Sequence, residues 1–149
     1  MRLEAIALPL VRLALMEDIG GGDATTDAVV DEGAAGRAHI MSKQEGVLAG
    51  SEIASLAFRE RDPATKIDWL VAEGGPLSRG AHVATITAQA RAILTAERVA
   101  LNFLQHLSGI ATLARAFVKA VEGTGVKILD TRKTTPGLRF LEKHAAHMG

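Results

Sequence analysis

A cluster of polar residues late in the sequence has the side chains needed to bind an anion. The stretch from 126 to 139 reads VKILDTRKTTPGLR, in which Asp130, Arg132, Lys133 and three threonines follow a short apolar run. A guanidinium can grip a carboxylate or phosphate through two parallel hydrogen bonds, and an ammonium adds a mobile point charge. Threonine hydroxyls and loop amides can complete such a site, and Asp130 could orient either cation. The pattern predicts an anion-binding loop, with a solvated basic turn as the alternative.

The segments on either side of this loop are predicted to be a strand and a helix. Residues 126–129 (VKIL) are a short run that is apolar except for Lys127, too short for a helix and typical of a strand buried on both faces of a parallel sheet. Thr135 and Pro136 form an N-cap and N1 pair. The helix that they begin places its apolar residues at helical spacing: Leu138, Leu141, Ala145 and Met148. In such α/β units ligands bind at the loop after the strand, beside the helix N-terminus.

A long amphipathic helix is predicted over residues 95–123, with Thr95 as its cap and glycines at its end. Its inward stripe is predicted to comprise Val99, Phe103, His106, Ile110, Leu113, Phe117 and Val121. On this pattern His106 is a core histidine and Arg98, in the first turn, is a surface arginine. Ser108 and Gly109 conflict with a regular helix, so either the helix breaks there or another backbone packs closely.

The first 94 residues predict a small α+β domain with an antiparallel or mixed sheet. A helix is expected over residues 3–17, with Ile6, Leu10, Leu13 and Ala14 near one face. Strands are expected at 36–43, 46–50, 66–73 and 81–88. A second helix should follow Ser51 as its N-cap and end at Asp62.

Composition excludes several classes of function. Lys plus Arg and Asp plus Glu both number 17, so no global field attracts nucleic acid or an anionic membrane. The charge is uneven, however, since residues 95–149 carry eight basic and four acidic residues. The absence of cysteine excludes disulfides, thiolate metal sites and a cysteine nucleophile, and it is compatible with a cytoplasmic location. No apolar run reaches the ~20 residues that a bilayer requires.

Four stretches resemble one enzyme family in the order in which they occur. The most specific is LDTRKTTPGLRFLEKHA at 129–145, which resembles a signature of the quinolinate phosphoribosyltransferases, also called nicotinate-nucleotide pyrophosphorylases. AERVALNFLQHLSGIAT at 96–112, GVLAG at 46–50 and MEDIGGGDATTDAVV at 16–30 resemble the same family. The resemblance implies transfer of phosphoribose from phosphoribosyl pyrophosphate to quinolinate with decarboxylation. The products would be nicotinate mononucleotide, carbon dioxide and pyrophosphate, in NAD biosynthesis.

The resemblance also implies roles for individual residues. Thr131, Arg132 and Lys133 look like the family's substrate-binding residues, with Lys133 as the catalytic cation. Arg98 resembles the arginine that members contribute to a neighbouring subunit's active site, which implies a homodimer or larger homo-oligomer. Mg²⁺ would accompany phosphoribosyl pyrophosphate, with no protein ligand for the metal among these 149 residues. Neither nucleic acid nor a membrane is expected as a partner.

The family resemblance predicts two structural parts. Residues 1–109 would form the N-terminal α+β domain, and 110–149 would begin a C-terminal TIM-like α/β barrel. Family members continue well beyond this point, so we expect the 149 residues alone to lack turnover. We also expect an exposed strand edge and an exposed apolar side of the last helix to favour association. Two alternatives remain open: a related phosphoribosyltransferase-like protein linked to molybdate transport, and a non-catalytic dimerisation module.

Overall fold

A computed structural model describes residues 3–149, so Met1 and Arg2 of the predicted N-terminal domain lie outside it. The helices are α1 (Leu3–Ile19), α2 (Ala24–Val29), α3 (Ser51–Arg61), α4 (Ala90–Ala120) and α5 (Arg139–Met148). The strands are β1 (Ala35–Met41), β2 (Gly46–Val47), β3 (Lys66–Trp69), β4 (Pro76–Leu77) and β5 (His82–Gln89). Every strand pair is antiparallel, which confirms the small α+β arrangement predicted for the first part of the chain.

The larger sheet has the strand order β1-β5-β3, and a two-stranded ribbon joins β2 to β4. Alternate residues of the sheet face inward, as the period of a strand requires. Ile67 and Trp69 of β3 point toward the core, and Ile86 of β5 is almost fully buried. The opposite face carries polar side chains, so one side of this sheet packs against the helices and the other faces solvent.

The core lies between this sheet and the helices α1, α3 and α4. The buried face of α3 includes Ile53, Leu56, Ala57 and Phe58. The facing side of α4 is made largely of small residues spaced three or four apart: Ala92, Ala96, Ala100 and Ala111, with Leu104 and Leu107 between them. Small side chains allow two helices to approach closely, so this alanine face sets the distance between α3 and α4.

One backbone segment packs directly against the middle of α4. Ser108 Oγ accepts a hydrogen bond from the Ala49 amide at 3.0 Å and lies 3.2 Å from the Ala49 carbonyl, to which it can donate. A side chain at Gly50 would come within 2.8 Å of Leu107, and Gly50 has φ +94°. Helix α4 continues through both residues, and a second backbone packs closely at Ser108, whereas Gly109 itself faces open space.

Helix α3 is capped differently from the prediction. Gly50 is its N-cap and Ser51 its first residue, and the Glu73 carboxylate accepts hydrogen bonds from both amides at 2.7 and 3.0 Å. A carboxylate at a helix N-terminus satisfies free N–H groups and favours the helix dipole. The predicted end at Asp62 is confirmed, since Asp62 is the C-cap.

The helical phase was predicted wrongly for α4, although its length was nearly right. The helix begins at Ala90, and Thr95 lies buried inside it, where its hydroxyl donates to the Arg91 carbonyl at 2.8 Å. Of the predicted stripe only Val99 is fully buried, whereas Leu113 and Phe117 are exposed. Position 109, the predicted domain boundary, lies within α4. Within residues 3–149, no helix has the length and apolar character needed to cross a membrane.

Helix α1 shows the same shift of phase. Its fully buried residues are Ala7, Val11 and Leu15, while the predicted inward residue Leu13 is exposed. Pro9 lies within the helix, which runs without interruption from Leu3 to Ile19. The helical spacing of the apolar residues was predicted correctly, but the side of the helix that faces the core was not.

The predicted strand at 126–129 is not formed. This segment has no ladder partner among residues 3–149, and its apolar side chains are exposed, with Leu129 at 84%. A strand requires a neighbour for its backbone hydrogen bonds, and the described residues supply none. Helix α5 begins at Arg139 with Leu138 as N-cap, three residues later than the Thr135 cap predicted. Its apolar side is covered rather than exposed, because Leu141 and Ala145 pack into the core.

Asp23 caps the short helix α2. Its side chain accepts a hydrogen bond from the Thr26 amide at 3.1 Å and from the Thr26 hydroxyl at 2.7 Å. These two bonds lower the pKa of Asp23 and outweigh desolvation, which acts to raise it. The positive charge of Arg98 also lowers this pKa. The carboxylate form is thus favoured by the folded state.

Ser108→Ala should lower the free energy of unfolding by about 1–3 kcal/mol, because both backbone groups of buried Ala49 lose a partner. Gly109→Ala is the matched control, since its new methyl group meets open space and Ala is the better helix former; it should raise stability by about 0.5–1 kcal/mol. Urea denaturation measures both. Equal effects of the two substitutions would contradict a specific role for Ser108.

Asp23 should contribute stability that disappears in acid. Because its pKa is lowered in the folded state, the contribution is complete above the ordinary carboxyl value of about 3.9 and is lost as the pH falls through the folded value. Asp23→Asn keeps an amide oxygen as a cap and cannot titrate, so its unfolding free energy should fall less between about pH 5 and pH 3. Asp31→Asn, at an exposed aspartate, is the control and should follow the parent curve.

Candidate anion-binding site

The loop predicted to bind an anion is exposed and ordered by short-range contacts. The Lys133 amide donates to Thr131 Oγ1 at 3.1 Å, which closes a tight turn around Arg132. Both cationic side chains are exposed, and within residues 3–149 neither makes a hydrogen bond or ion pair. Two positive charges at the tip of a turn, with no internal partner, are available to an external anion.

Asp130 does not orient these cations, so that expectation was wrong. Its carboxylate is paired with Lys143 of α5, whose Nζ lies 2.6 Å from each carboxylate oxygen. Because the Lys143 ammonium pairs with this carboxylate, Asp130 does not compete with an external anion for Arg132 or Lys133. The net positive charge of the loop tip is therefore retained.

Glu142, the residue before Lys143, holds the other end of the loop. Its Oε2 accepts a hydrogen bond from the Thr135 amide at 3.1 Å, and its Oε1 lies 2.9 Å from His106 Nε2. Partial burial acts to raise the pKa of Glu142, but the hydrogen bonds from Thr135 and His106 outweigh it, and the pKa lies below its ordinary value. The interpretation of His106 as a core histidine was wrong, since the ring is 43% exposed and pairs with this carboxylate.

Arg98, predicted as a surface arginine, is half-exposed and already paired. Its Nε lies 3.1 and 3.0 Å from the two carboxylate oxygens of Asp18 at the end of α1, and its Nη2 lies 3.8 Å from Asp23. Two carboxylates thus surround this guanidinium. For Arg98 to grip a substrate anion, it would have to exchange Asp18 for that anion.

An open cleft of about 490 Å³ lies beside Arg98, between α1, α4 and the residue that caps α5. Asp18 lines it at one side and Leu138 at the other, with Glu17, Asn102 and His106 among the remaining lining residues. Its described lining includes two carboxylates and no lysine or arginine, so the cleft by itself does not suit an anion. No contact within residues 3–149 joins Arg98 to the loop at 131–133.

The described residues do not supply a metal centre. Nowhere within residues 3–149 do three or more histidine, aspartate or glutamate side chains converge as metal ligands. A resident Mg²⁺ site is therefore not assigned to them.

Three residues around the loop were not predicted as functional, namely Arg139, Glu142 and Lys143, all on α5. One signal in the sequence could have indicated Glu142, because an acidic residue in the first turn of a helix often reaches back to free amides. The contacts of Lys143 with Asp130 and of Glu142 with His106 span 13 and 36 residues, and no local pattern encodes them.

Two family models match consecutive parts of the chain. The N-terminal domain of quinolinate phosphoribosyl transferase matches residues 23–108, and the C-terminal domain of the same family matches residues 110–149. A quinolinate phosphoribosyltransferase [decarboxylating] of Nicotiana glauca is 40% identical over 141 residues, covering 94% of this chain and 40% of that protein. A nicotinate-nucleotide pyrophosphorylase [carboxylating] of Mycobacterium leprae is 43% identical over 142 residues, covering 93% and 50%.

Solved structures agree with these matches. NadC from Streptococcus pyogenes superimposes with a TM-score of 0.94 at 37% identity, over 99% of this chain and 53% of that one. A nicotinate-nucleotide pyrophosphorylase from Francisella tularensis gives 0.94 at 36% identity, over 100% and 52%. The chain thus spans between 40% and about half the length of these relatives. On the strength of the family models, the relatives and the shared fold, the chain belongs to the quinolinate phosphoribosyltransferase family.

Proposed function

We propose that this chain contributes substrate-binding residues to a phosphoribosyltransferase that joins quinolinate to phosphoribosyl pyrophosphate, releasing carbon dioxide and pyrophosphate. One observation carries the proposal: Arg132 and Lys133 stand exposed and unpaired, within residues 3–149, at the tip of a turn inside DTRKTTPGLR. Quinolinate has two adjacent carboxylates, and the second substrate is a polyphosphate. Both are ligands for a guanidinium and an ammonium held side by side.

Catalysis by such a site would depend on placement and electrostatics. The pyridine nitrogen must meet the ribosyl carbon as pyrophosphate departs, and that carbon becomes oxocarbenium-like. Arg132 would fix the dicarboxylate bidentately, and Lys133, proposed as the catalytic cation, would stabilise the charge that moves onto the leaving group. Thr131 shapes the turn through its hydrogen bond to the Lys133 amide. Mg²⁺ would enter as the counter-ion of phosphoribosyl pyrophosphate, as part of that substrate.

The role of Arg98 in a neighbouring subunit's site is part of the same proposal. Arg98 projects from the third turn of α4 and is half-exposed, and its present partner Asp18 is the group that a substrate anion would replace. Arg98 does not contact the loop of its own chain, which is compatible with a role in the site of a neighbouring subunit. The homodimer and the cytoplasmic location stay predictions, as does the absence of turnover in the 149 residues alone.

The segment at 126–129 is proposed as the first strand of a TIM-like barrel in the whole protein. The match of residues 110–149 to the family's C-terminal domain supports this assignment. The exposed apolar side chains of the segment and of Phe117 would then be covered by neighbouring barrel elements.

Arg132→Ala should weaken quinolinate binding by about tenfold or more, because a charge-assisted bidentate pair is lost. Isothermal titration of quinolinate into the 149-residue chain measures this effect. Arg98→Ala should weaken binding only under conditions in which the chain forms a dimer, which sedimentation can establish in the same samples.

Arg79→Ala is the matched control, since Arg79 is an exposed arginine that makes no ion pair within residues 3–149. It should bind as the parent does. A folded parent chain that binds neither quinolinate nor phosphoribosyl pyrophosphate would refute the proposal for these residues, and equal losses in the Arg132 and Arg79 variants would refute the specific role of the loop.

A further inference from the structure

Two adjacent side chains on the first turns of α5 contact opposite ends of the loop at 130–135. Lys143 pairs with Asp130, where the loop begins, at 2.6 Å. Glu142 accepts from the Thr135 amide, where the loop ends, at 3.1 Å. A loop held at both ends by one rigid helix can adopt far fewer conformations than one that is free between its flanking elements.

The helix itself is anchored to the core, so these contacts transmit its position to the loop. Leu141, next to Glu142, is almost completely buried, and Ala145 lies two residues beyond Lys143 in the same core. Glu142 also lies 2.9 Å from His106 of α4, and its side chain is only 11% exposed. The Glu142 carboxylate is therefore held largely out of water on a fixed support, although its partners are exposed. The Lys143–Asp130 pair is about 40% exposed on both sides and is more open to screening by salt.

A third contact from α5 supports the middle of the loop. Arg139 Nε donates to Thr134 Oγ1 at 3.2 Å. The tip that remains, Arg132 and Lys133, makes no side-chain contact of this kind within residues 3–149. The restraint is thus applied on either side of the two cations and leaves their charged groups open.

The Lys143 pair has a second, electrostatic consequence. Asp130 lies two and three residues from the cations, so a free carboxylate there would attract them and compete with an incoming anion. Lys143 contacts both oxygens of Asp130 and neutralises that charge. Removal of the ammonium would both release the start of the loop and give Arg132 and Lys133 an internal partner.

We propose that Glu142 and Lys143 are positioning residues that clamp the two ends of this loop and keep Asp130 away from its cations, so that Arg132 and Lys133 meet a dicarboxylate or pyrophosphate already ordered and unpaired. This inference rests on the proposed function for its ligands, but the order of the loop is a property of the free chain. The two can therefore be measured separately.

Amide hydrogen exchange of the free chain tests the clamp without a ligand. Glu142→Ala should speed exchange of the Thr135 amide about tenfold, because its acceptor is lost. Lys143→Met should speed exchange of the Lys133 amide, which donates to Thr131 Oγ1 within the loop, while Lys143→Arg, which keeps an ion pair, should leave the rate close to that of the parent. Lys127→Met removes an exposed lysine outside the clamp and should change nothing at these amides.

Titration with quinolinate, and separately with inorganic pyrophosphate, then tests the consequence for binding. Lys143→Met should weaken binding severalfold, and the charge-reversed pair Asp130→Lys with Lys143→Asp should weaken it less, because the pair is restored in the opposite sense. Urea denaturation of each variant shows that the effect is not a loss of folding. The partial rescue is a response that a merely structural role for Lys143 would not produce.

The outcomes separate the two proposals. Exchange rates at 131–135 that are the same in the parent, Glu142→Ala and Lys143→Met would overturn the clamp, even where quinolinate binds tightly. Faster exchange in those variants with binding to neither ligand by the parent would support the clamp and refute the proposed function of the chain. Should Glu142→Ala fail to fold, Lys143→Met and the charge-reversed pair still decide the question.

Discussion

The rest of this structure depends on the close packing of α4. At 31 residues the helix is about 46 Å long, enough to contact the sheet and α3 along one part and α5 along another. Its alanine-rich face lets α3 approach, and Ser108 satisfies the backbone of Ala49 where the two meet. Helix α5 also packs on α4, and the cationic loop is in contact with α5. The position of the loop therefore depends on the same helix that packs against the N-terminal sheet.

The distribution of charge around that helix explains why two cations are free and a third is not. Arg98 lies between Asp18 and Asp23, so its charge is largely balanced within the chain. Lys143 forms an ion pair with Asp130, and the Glu142 carboxylate is in contact with the Thr135 amide and His106. Every carboxylate near the loop thus has a partner of its own, which leaves the charges of Arg132 and Lys133 to an external anion.

The sequence predicted element types better than it predicted which faces are buried. Four strands and α3 were located to within a few residues because their alternation and terminal residues are local signals, whereas the two-residue strand β4 was not predicted. The buried side of α4 was misassigned because both sides are apolar, and the large residues Phe103, Leu113 and Phe117 seemed the natural core. The helices instead meet through Ala96, Ala100 and Ala111, since close packing favours small side chains. The strand predicted at 126–129 is not formed, because no segment of residues 3–149 pairs with it.

The sequence by itself determined the family and the grouping of two cations and three threonines in one short segment, because DTRKTTPGLR places them next to one another along the chain. Tertiary structure alone decided the partners of those groups. His106 and Glu142 are 36 residues apart, and Arg98 and Asp18 are 80 apart, yet each pair is in contact. Whether a charge is available for binding depends on such distant neighbours, and their proximity is fixed by the packing of α1 and α5 on α4, which no local pattern contains.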